Sequence, residues 1–203
     1  MHPATATRID TGTPRMTIIA PTLSWASPKE AYIWAVEYAS RPDCRDSVGR
    51  LLKKPGTSNF TRGDLLDQAL TITGLVFAME HPLNSLYRLV YGDGDMLIDV
   101  LAVADHVSHS VHRTHTDKPI SKLRGMAGGI VVELRRVELY GREIRKAAVA
   151  AKADIPRQRL YEPDAWGRTY IDTRTMLQDL LEIADWRLGQ ELDELGWLIG
   201  VAG

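Results

Sequence analysis

The strongest constraint on the fold is the spacing of apolar residues, which repeats every three to four positions through most of the chain. In the segment 64–80, one stripe contains Leu65, Ala69, Ile72 and Val76. That period is typical of amphipathic helices, and no convincing stretch alternates with the period of two that a half-buried strand requires. The sequence therefore predicts an all-α fold.

Proline and glycine divide this pattern into separate helices. Ser27 is suited to cap the first helix, Pro28 to open it and Glu30 to close a capping box. Residues 53–63 have the composition of a loop. The remaining helices are predicted over 64–80, 82–91, 96–112, 121–140, 142–153, 156–161 and 173–192.

The order of these segments predicts three regions. Residues 1–24 are rich in Thr and Pro without a period, which predicts a flexible lead-in. Residues 25–115 are predicted to form a helical bundle. Residues 116–203 are predicted to form a helix-turn-helix region with an acidic, amphipathic C-terminal helix, and the boundary between the two falls near 113–120.

Composition excludes several classes of protein. The 203 residues contain one cysteine, Cys44, so an internal disulfide and a thiolate zinc cluster are both excluded. No apolar run approaches the length of a membrane-spanning helix, and the N-terminus lacks the hydrophobic core of a signal peptide. We therefore expect a soluble cytoplasmic protein that makes no contact with a membrane.

The net charge of −1 hides a marked asymmetry. Residues 113–160 carry 12 Lys and Arg against 5 Asp and Glu, a net of +7, whereas residues 161–203 carry 3 against 9, a net of −6. A basic block of this kind is typical of a surface that binds nucleic acid, although a solvated helical face has the same composition. The acidic C-terminal segment favours a basic partner.

The segment 144–161 has the pattern of a helix-turn-helix. Such a unit needs small residues where its two helices cross, and Val149 and Ala150 occupy that place. Asp154 falls at the turn, where aspartate tolerates the left-handed conformation better than most residues. Apolar residues behind the crossing and along the second helix then provide the anchors: Ala153, Ile155 and Leu160.

This arrangement leaves polar side chains of both helices free to contact DNA. Forked donors of Arg and Gln match guanine and adenine edges, while cations on the first helix bind phosphates and supply affinity. The predicted base contacts are Arg157, Gln158, Arg159 and Tyr161. The predicted phosphate contacts are Arg142, Arg145, Lys146 and Lys152. The expected partner is double-stranded DNA.

In its alanine-rich first helix, the isoleucine after the turn and the closing Leu-Tyr, the segment resembles the helix-turn-helix of bacterial and phage regulators. It departs from them at Asp154, where glycine is commoner, and at Pro163, which shortens the second helix. The segments 86–92 and 181–188 are similar to parts of the Q-type late-gene antitermination proteins of phages. That resemblance implies binding to promoter-proximal DNA and to RNA polymerase, although the cysteine zinc site of many members cannot form here.

Four histidines at intervals of three raise the question of a metal site. Successive steps of three rotate by about 60° around a helix, so only neighbouring pairs face the same way. One such pair together with Asp105 offers few ligands for a metal ion. We therefore expect this segment to be a polar helix end and not a metal site. We predict no metal, no cofactor and no catalytic residues, and therefore no enzyme. The histidines are His106, His109, His112 and His115.

Three functions remain open from the sequence. The first is a sequence-specific DNA-binding regulator of transcription, of which a phage-type antitermination factor acting with RNA polymerase is one form. The second is a phage packaging protein like a small terminase subunit, which assembles into a homo-oligomeric ring. The third is a helical interaction protein that binds no DNA and uses 113–160 as a basic docking face.

Overall fold

Seven α-helices form the framework of the part of the chain that the structure, a computed structural model, describes: residues 23–40, 62–92 and 94–199. No strand is present in these ranges, which confirms the all-α prediction. A 3-10 turn, Arg157–Leu160, and a π turn, Pro163–Gly167, precede the last helix. The helices are α1 (Pro28–Ser40), α2 (Arg62–Ala78), α3 (Leu83–Tyr91), α4 (Ile98–His112), α5 (Ile120–Tyr140), α6 (Lys146–Lys152) and α7 (Arg168–Glu194).

Local signals in the sequence set several helix ends. The Glu30 amide donates to the Ser27 hydroxyl at 3.3 Å, and Pro28 is the first residue of α1, as the capping pattern predicts. Gly141 ends α5 in the left-handed conformation, with φ 61°, and its amide donates to the Val137 carbonyl at 2.8 Å. Only glycine adopts that conformation without strain, so the sequence stops α5 there.

Two predicted helices differ from the observed ones by four or five residues at their starts. The helix predicted over 142–153 begins only at Lys146, because the Arg145 amide donates to the Glu133 carboxylate and not to a helical turn. The helix predicted over 173–192 begins five residues earlier, at Arg168, and ends at Glu194. Its buried face begins at Thr169 and Tyr170, which lie outside the predicted helix.

The core is built around α5. Its buried side chains, including Ile130 and Leu134, face α3 and α4 on one side and α7 on another. The buried residues form one continuous cluster that includes both Leu86 and Leu177, from either side of the boundary predicted near 113–120. Burial of such large apolar side chains is the main source of stability in a fold of this kind.

Helix α7 joins the two ends of the molecule. Its 27 residues span about 40 Å, with Tyr170 buried near its start and Leu192 near its end. Beyond it, the Trp25 amide donates to the Trp197 carbonyl at 2.9 Å, and the Ile199 amide donates to the Trp25 carbonyl at 2.8 Å. The chain ahead of α1 is therefore fastened to the segment that follows α7.

The flexible lead-in predicted for 1–24 lies outside the described residues except for its last two. Of these, Leu23 is buried, and Gln68 of α2 both donates to its carbonyl at 2.9 Å and accepts from its amide at 3.1 Å. The loop predicted over 53–63, apart from its end, and Cys44 also lie outside the described ranges. No helix within these ranges combines the length and apolar character needed to cross a lipid bilayer.

Candidate nucleic-acid interface

Helix α6 lies against α5 with almost no space between the two backbones. A Cβ atom at Gly125 would lie 2.8 Å from the Cα atom of Ala153, and one at Gly129 would lie 3.0 Å from the Cα atom of Val149. Glycine therefore permits this close approach, and a larger residue at Gly125 would meet backbone that has no room to move. Val149 is fully buried. It lies where α6 crosses α5, and not only where α6 meets the residues that follow it.

The turn after α6 has the geometry that the sequence predicts. Asp154 has φ 51°, in the left-handed region, and the Ile155 amide donates to the Ala150 carbonyl at 3.0 Å. The Lys122 ammonium donates to the Asp154 carbonyl at 2.8 Å and so ties the turn to α5. Ile155 is buried, which anchors the chain immediately after the turn.

The predicted second helix, over 156–161, is one 3-10 turn of four residues, Arg157–Leu160. Pro163 disfavours the helical conformation at Glu162, which is extended with ψ 112°, and the chain cannot continue as an α-helix. At about 2 Å per residue the turn is about 8 Å long. It can present its tip to a groove, but it is too short to lie along one as a recognition helix does.

The predicted base-contacting residues divide into two groups. Arg157 and Gln158 are exposed, and their side chains form no hydrogen bond or ion pair with any other described residue. Arg159 is also exposed, with its Nε 4.0 Å from a carboxylate oxygen of Glu162. Tyr161 is 53% exposed, and its ring lies beneath an ammonium group, which fixes its position.

That ammonium belongs to Lys146, one of the predicted phosphate contacts. Its Nζ lies 4.3 Å from the centroid of the Tyr161 ring and 5.2 Å from that of Tyr170. Arg142 lies 5.8 Å from the centroid of Tyr140. Lys152 is exposed and makes no ion pair within the described ranges. These three cations are held by aromatic faces or by none, so their charge is not cancelled by a carboxylate.

Arg145 occupies a different environment from the other predicted phosphate contacts. Its Nη2 lies 2.8 Å from Oε1 of Glu133, and its backbone amide donates to Oε2 at 3.0 Å. Glu133 is 1% exposed and also accepts from Arg136 at 3.2 Å. Arg145 therefore holds the loop onto α5, and its contact with a phosphate stays a prediction.

These hydrogen bonds change the titration of the buried carboxyl group. Hydrogen bonding from the Arg145 guanidinium, aided by the Arg145 amide and by Arg136, lowers the pKa of Glu133 to about 2 and outweighs the opposing effect of burial. The carboxylate is charged at every pH at which the protein is expected to work. It fixes the residues that lead into α6.

Much of the remaining basic block is neutralised within the fold. Lys118 pairs with Asp117 at 2.7 Å, and Arg124 pairs with Asp105. Arg135 donates to main-chain carbonyls of α3 and of the residue that ends it. The net charge of +7 is therefore not displayed evenly. Four cations of the block that have no carboxylate partner in the described ranges lie around α6 and the 3-10 turn: Arg142, Lys146, Lys152 and Arg157. Arg113 and Arg135, which lie elsewhere, have none either.

Tyr170 also belongs to this region, although the sequence does not predict it there. It is 2% exposed, and burial raises its pKa. Its ring contacts the Lys146 ammonium group. The signal was present, because Tyr170 precedes the buried Leu177 by seven residues and so continues the buried face of α7 toward its N-terminus. The helix predicted from the sequence begins at Thr173, so it does not include Tyr170.

The histidine run has structural partners. The His115 Nε2 lies 2.8 Å from the Asp172 carboxylate, and its Nδ1 lies 3.2 Å from the Thr169 hydroxyl. Thr169 is 1% exposed, and these contacts fasten the start of α7 to the residues that follow α4. His109 bonds the Asp105 carbonyl at 2.8 Å. Among the described residues no three potential ligands come close enough to hold a metal ion.

Comparisons with known proteins provide no relative for this surface. No protein-family model, no curated protein and no solved structure matches the chain significantly. What the surface binds is therefore inferred from its own residues.

Proposed function

We propose that this chain binds double-stranded DNA and regulates transcription. The contact is made by the α6 surface, which we define as the side chains that project from α6, its flanking loop and the 3-10 turn: Arg142, Lys146, Lys152, Arg157, Gln158, Arg159 and Tyr161. One observation carries the proposal. Arg142, Lys152 and Arg157 of this surface are exposed and have no carboxylate partner in the described ranges, whereas neighbouring cations such as Lys118 and Arg124 are paired.

Rigidity supports the same proposal. Close contact at Gly125 and Gly129 fixes α6 on α5, and Glu133 fixes the loop before it. Because the backbone is already fixed, only the side chains of these cations have to be ordered when they contact phosphates. The surface therefore suits a ligand with regularly placed negative charges.

The short 3-10 turn assigns different tasks to the two ends of the surface. Lys152, Arg142 and Lys146 contact phosphates and supply affinity that depends on salt. Arg157 and Gln158 stand at the tip of the turn and meet base edges in the major groove, where Arg pairs with guanine and Gln with adenine. A tip reads few bases, so we expect a modest sequence preference.

The proposal is tested by titrating the full chain with a labelled random-sequence duplex at salt concentrations of about 50 to 200 mM. Lys152→Ala should weaken binding to all duplexes and lower the slope of log K against log salt by about 0.9, the value for one lost phosphate contact. Lys118→Ala is the matched control, because Lys118 is already paired with Asp117, and it should leave the slope unchanged.

Sequence reading is tested separately by selecting preferred duplexes from a random pool. Arg157→Ala should flatten the selected preference and reduce affinity for the best site by about tenfold, with little loss on random DNA. If the wild-type chain does not bind duplex DNA at low salt, or if Lys118→Ala and Lys152→Ala behave alike, the α6 surface is not a DNA-binding surface.

A further inference from the structure

A cavity of about 420 Å³ lies between α3, α5 and the second half of α7. Its walls carry both carboxylates and aromatic rings, chiefly Glu138, Glu182, Asp185, Tyr91 and Trp186. Tyr170, which lies against Lys146 of the α6 surface, is near the start of α7, and Trp186 is several turns further along the same helix. The cavity is therefore a different place from the proposed DNA interface. Along the helix, the separation from Tyr170 is about 24 Å.

The three carboxylates differ in how far they are satisfied. Asp185 accepts from the Tyr87 hydroxyl at 2.7 Å, and Glu138 accepts from Lys29 at 2.7 Å. Only Lys29 brings a positive charge, so one of the three negative charges is cancelled. Glu182 is exposed and has no hydrogen bond or ion pair with another described residue. The cavity therefore retains an attraction for a cation.

Aromatic faces strengthen that attraction. The Lys29 ammonium lies 5.0 Å from the centroid of the Tyr91 ring while it pairs with Glu138, so this corner of the cavity already holds a cation between a ring and a carboxylate. Trp186 repeats the combination beside Glu182, but its ring is 61% exposed. The fold thus contains one filled and one open position of the same chemistry.

A second cleft, of about 340 Å³, lies on the other side of Trp186. Leu75 of α2 and Met79, which follows α2, give it an apolar wall. The opposite wall carries Arg187, Gln190 and Glu191. Trp186 is consequently a ridge between an acidic cleft and a cleft with one apolar wall. A chain laid across this ridge can place a cationic side chain on one side and an apolar side chain on the other, which a small free cation cannot do.

We propose that the cleft beside Glu182 binds an arginine side chain from a basic segment of a partner protein, with Trp186 packed against that segment. A guanidinium group suits the position because it is planar, stacks on an indole ring and offers several donors to neighbouring carboxylates. Charge complementarity selects a basic partner, since residues 161–203 carry a net charge of −6. This inference does not depend on DNA binding by the α6 surface.

The test uses the full chain and a fluorescent capped peptide that alternates Arg and Leu, at physiological salt. Glu182→Gln should weaken peptide binding about fivefold, and Trp186→Ala about tenfold, by loss of a charge-assisted contact and of the cation–aromatic contact. Both side chains are exposed, so both variants should keep the helical circular dichroism and the duplex affinity of the wild type.

Glu194→Gln is the matched control, because it removes the same charge from the same helix about 18 Å away, beyond the screening length of about 8 Å. It should bind the peptide as the wild type does. Equal weakening by Glu182→Gln and Glu194→Gln would overturn the proposal, since it would indicate diffuse attraction. Self-association of the unliganded chain that Glu182→Gln abolishes would also overturn it, because a second copy would then occupy the cleft.

Discussion

Replacing Glu133 with glutamine should destabilise the protein strongly at neutral pH. The side chain keeps its size but loses the charge that the Arg145 guanidinium and Arg136 surround. The carboxyl pKa is lowered from its ordinary 4.5 to about 2. Since each tenfold change in an ionisation constant is about 1.4 kcal/mol, the charged form contributes about 3 kcal/mol to the free energy of unfolding at pH 7.

The pH dependence of this contribution distinguishes it from a simple loss of contact. A carboxyl group whose pKa is lowered on folding stabilises the protein fully above its unfolded pKa and loses that effect as the pH falls through the folded pKa. The difference between wild type and Glu133→Gln should therefore be about 3 kcal/mol at pH 7, about 1.4 kcal/mol at pH 3 and close to zero below pH 2.

Urea unfolding followed by circular dichroism at several pH values measures that difference. Glu143→Gln is the matched control, because Glu143 is exposed in the same loop, and its effect should stay within about 0.5 kcal/mol at every pH. If Glu133→Gln costs less than about 1 kcal/mol at pH 7, or if its cost does not change with pH, then the carboxylate does not hold the loop as the structure indicates.

Four further substitutions test the support of α6. Gly125→Ala should lower the free energy of unfolding by at least about 2 kcal/mol, because the new Cβ meets the Ala153 backbone. Gly128→Ala, where a Cβ has room, should be neutral or stabilise by up to about 1 kcal/mol. Similar effects of the two variants in urea unfolding would refute the close approach. Leu160→Ala should cost about 2–5 kcal/mol because Leu160 is 1% exposed, and a cost below 1 would mean that the 3-10 turn is not anchored. Asp154→Gly should raise the free energy of unfolding slightly, by about 0.5 kcal/mol, since glycine adopts φ 51° without strain; a lower free energy of unfolding would contradict this.

The fold class could be predicted from the sequence because the signals that favour a helix lie within short segments of the chain. Apolar residues at helical spacing predict α2 within two residues of its observed start, and Pro28 marks the start of α1. The left-handed turn at Asp154 was also predictable, since few residue types tolerate that conformation. Each of these features depends on a few neighbouring residues and not on the rest of the fold.

Features that depend on distant residues were not predictable in the same way. Arg145 has the sequence context of a phosphate contact, but the Glu133 carboxylate that engages it lies twelve residues earlier on α5. The pairing of Arg124 with Asp105 likewise requires α4 and α5 to be adjacent. Charge counts along the chain give the total of a basic block, and only three-dimensional contacts tell which cations remain available.

The second helix of the predicted helix-turn-helix shows a conflict between two local signals. Leu160 at helical spacing favours a helix over 156–161, while Pro163 disfavours helical conformation in the residue before it. The structure resolves the conflict with a 3-10 turn that still buries Leu160. The turn keeps its buried anchor but is shorter than the predicted helix. For that reason, only the tip of the turn is assigned to base edges.

The most direct test of DNA binding by the α6 surface is a map of the residues that respond to duplex DNA. Backbone amide spectra of the isotope-labelled chain, recorded during a titration with a short duplex, provide that map. We predict that shifts concentrate between Arg142 and Tyr161 and spare the surroundings of Trp186. Shifts confined to other residues, or an unchanged spectrum at low salt, would contradict a DNA-binding role for this surface.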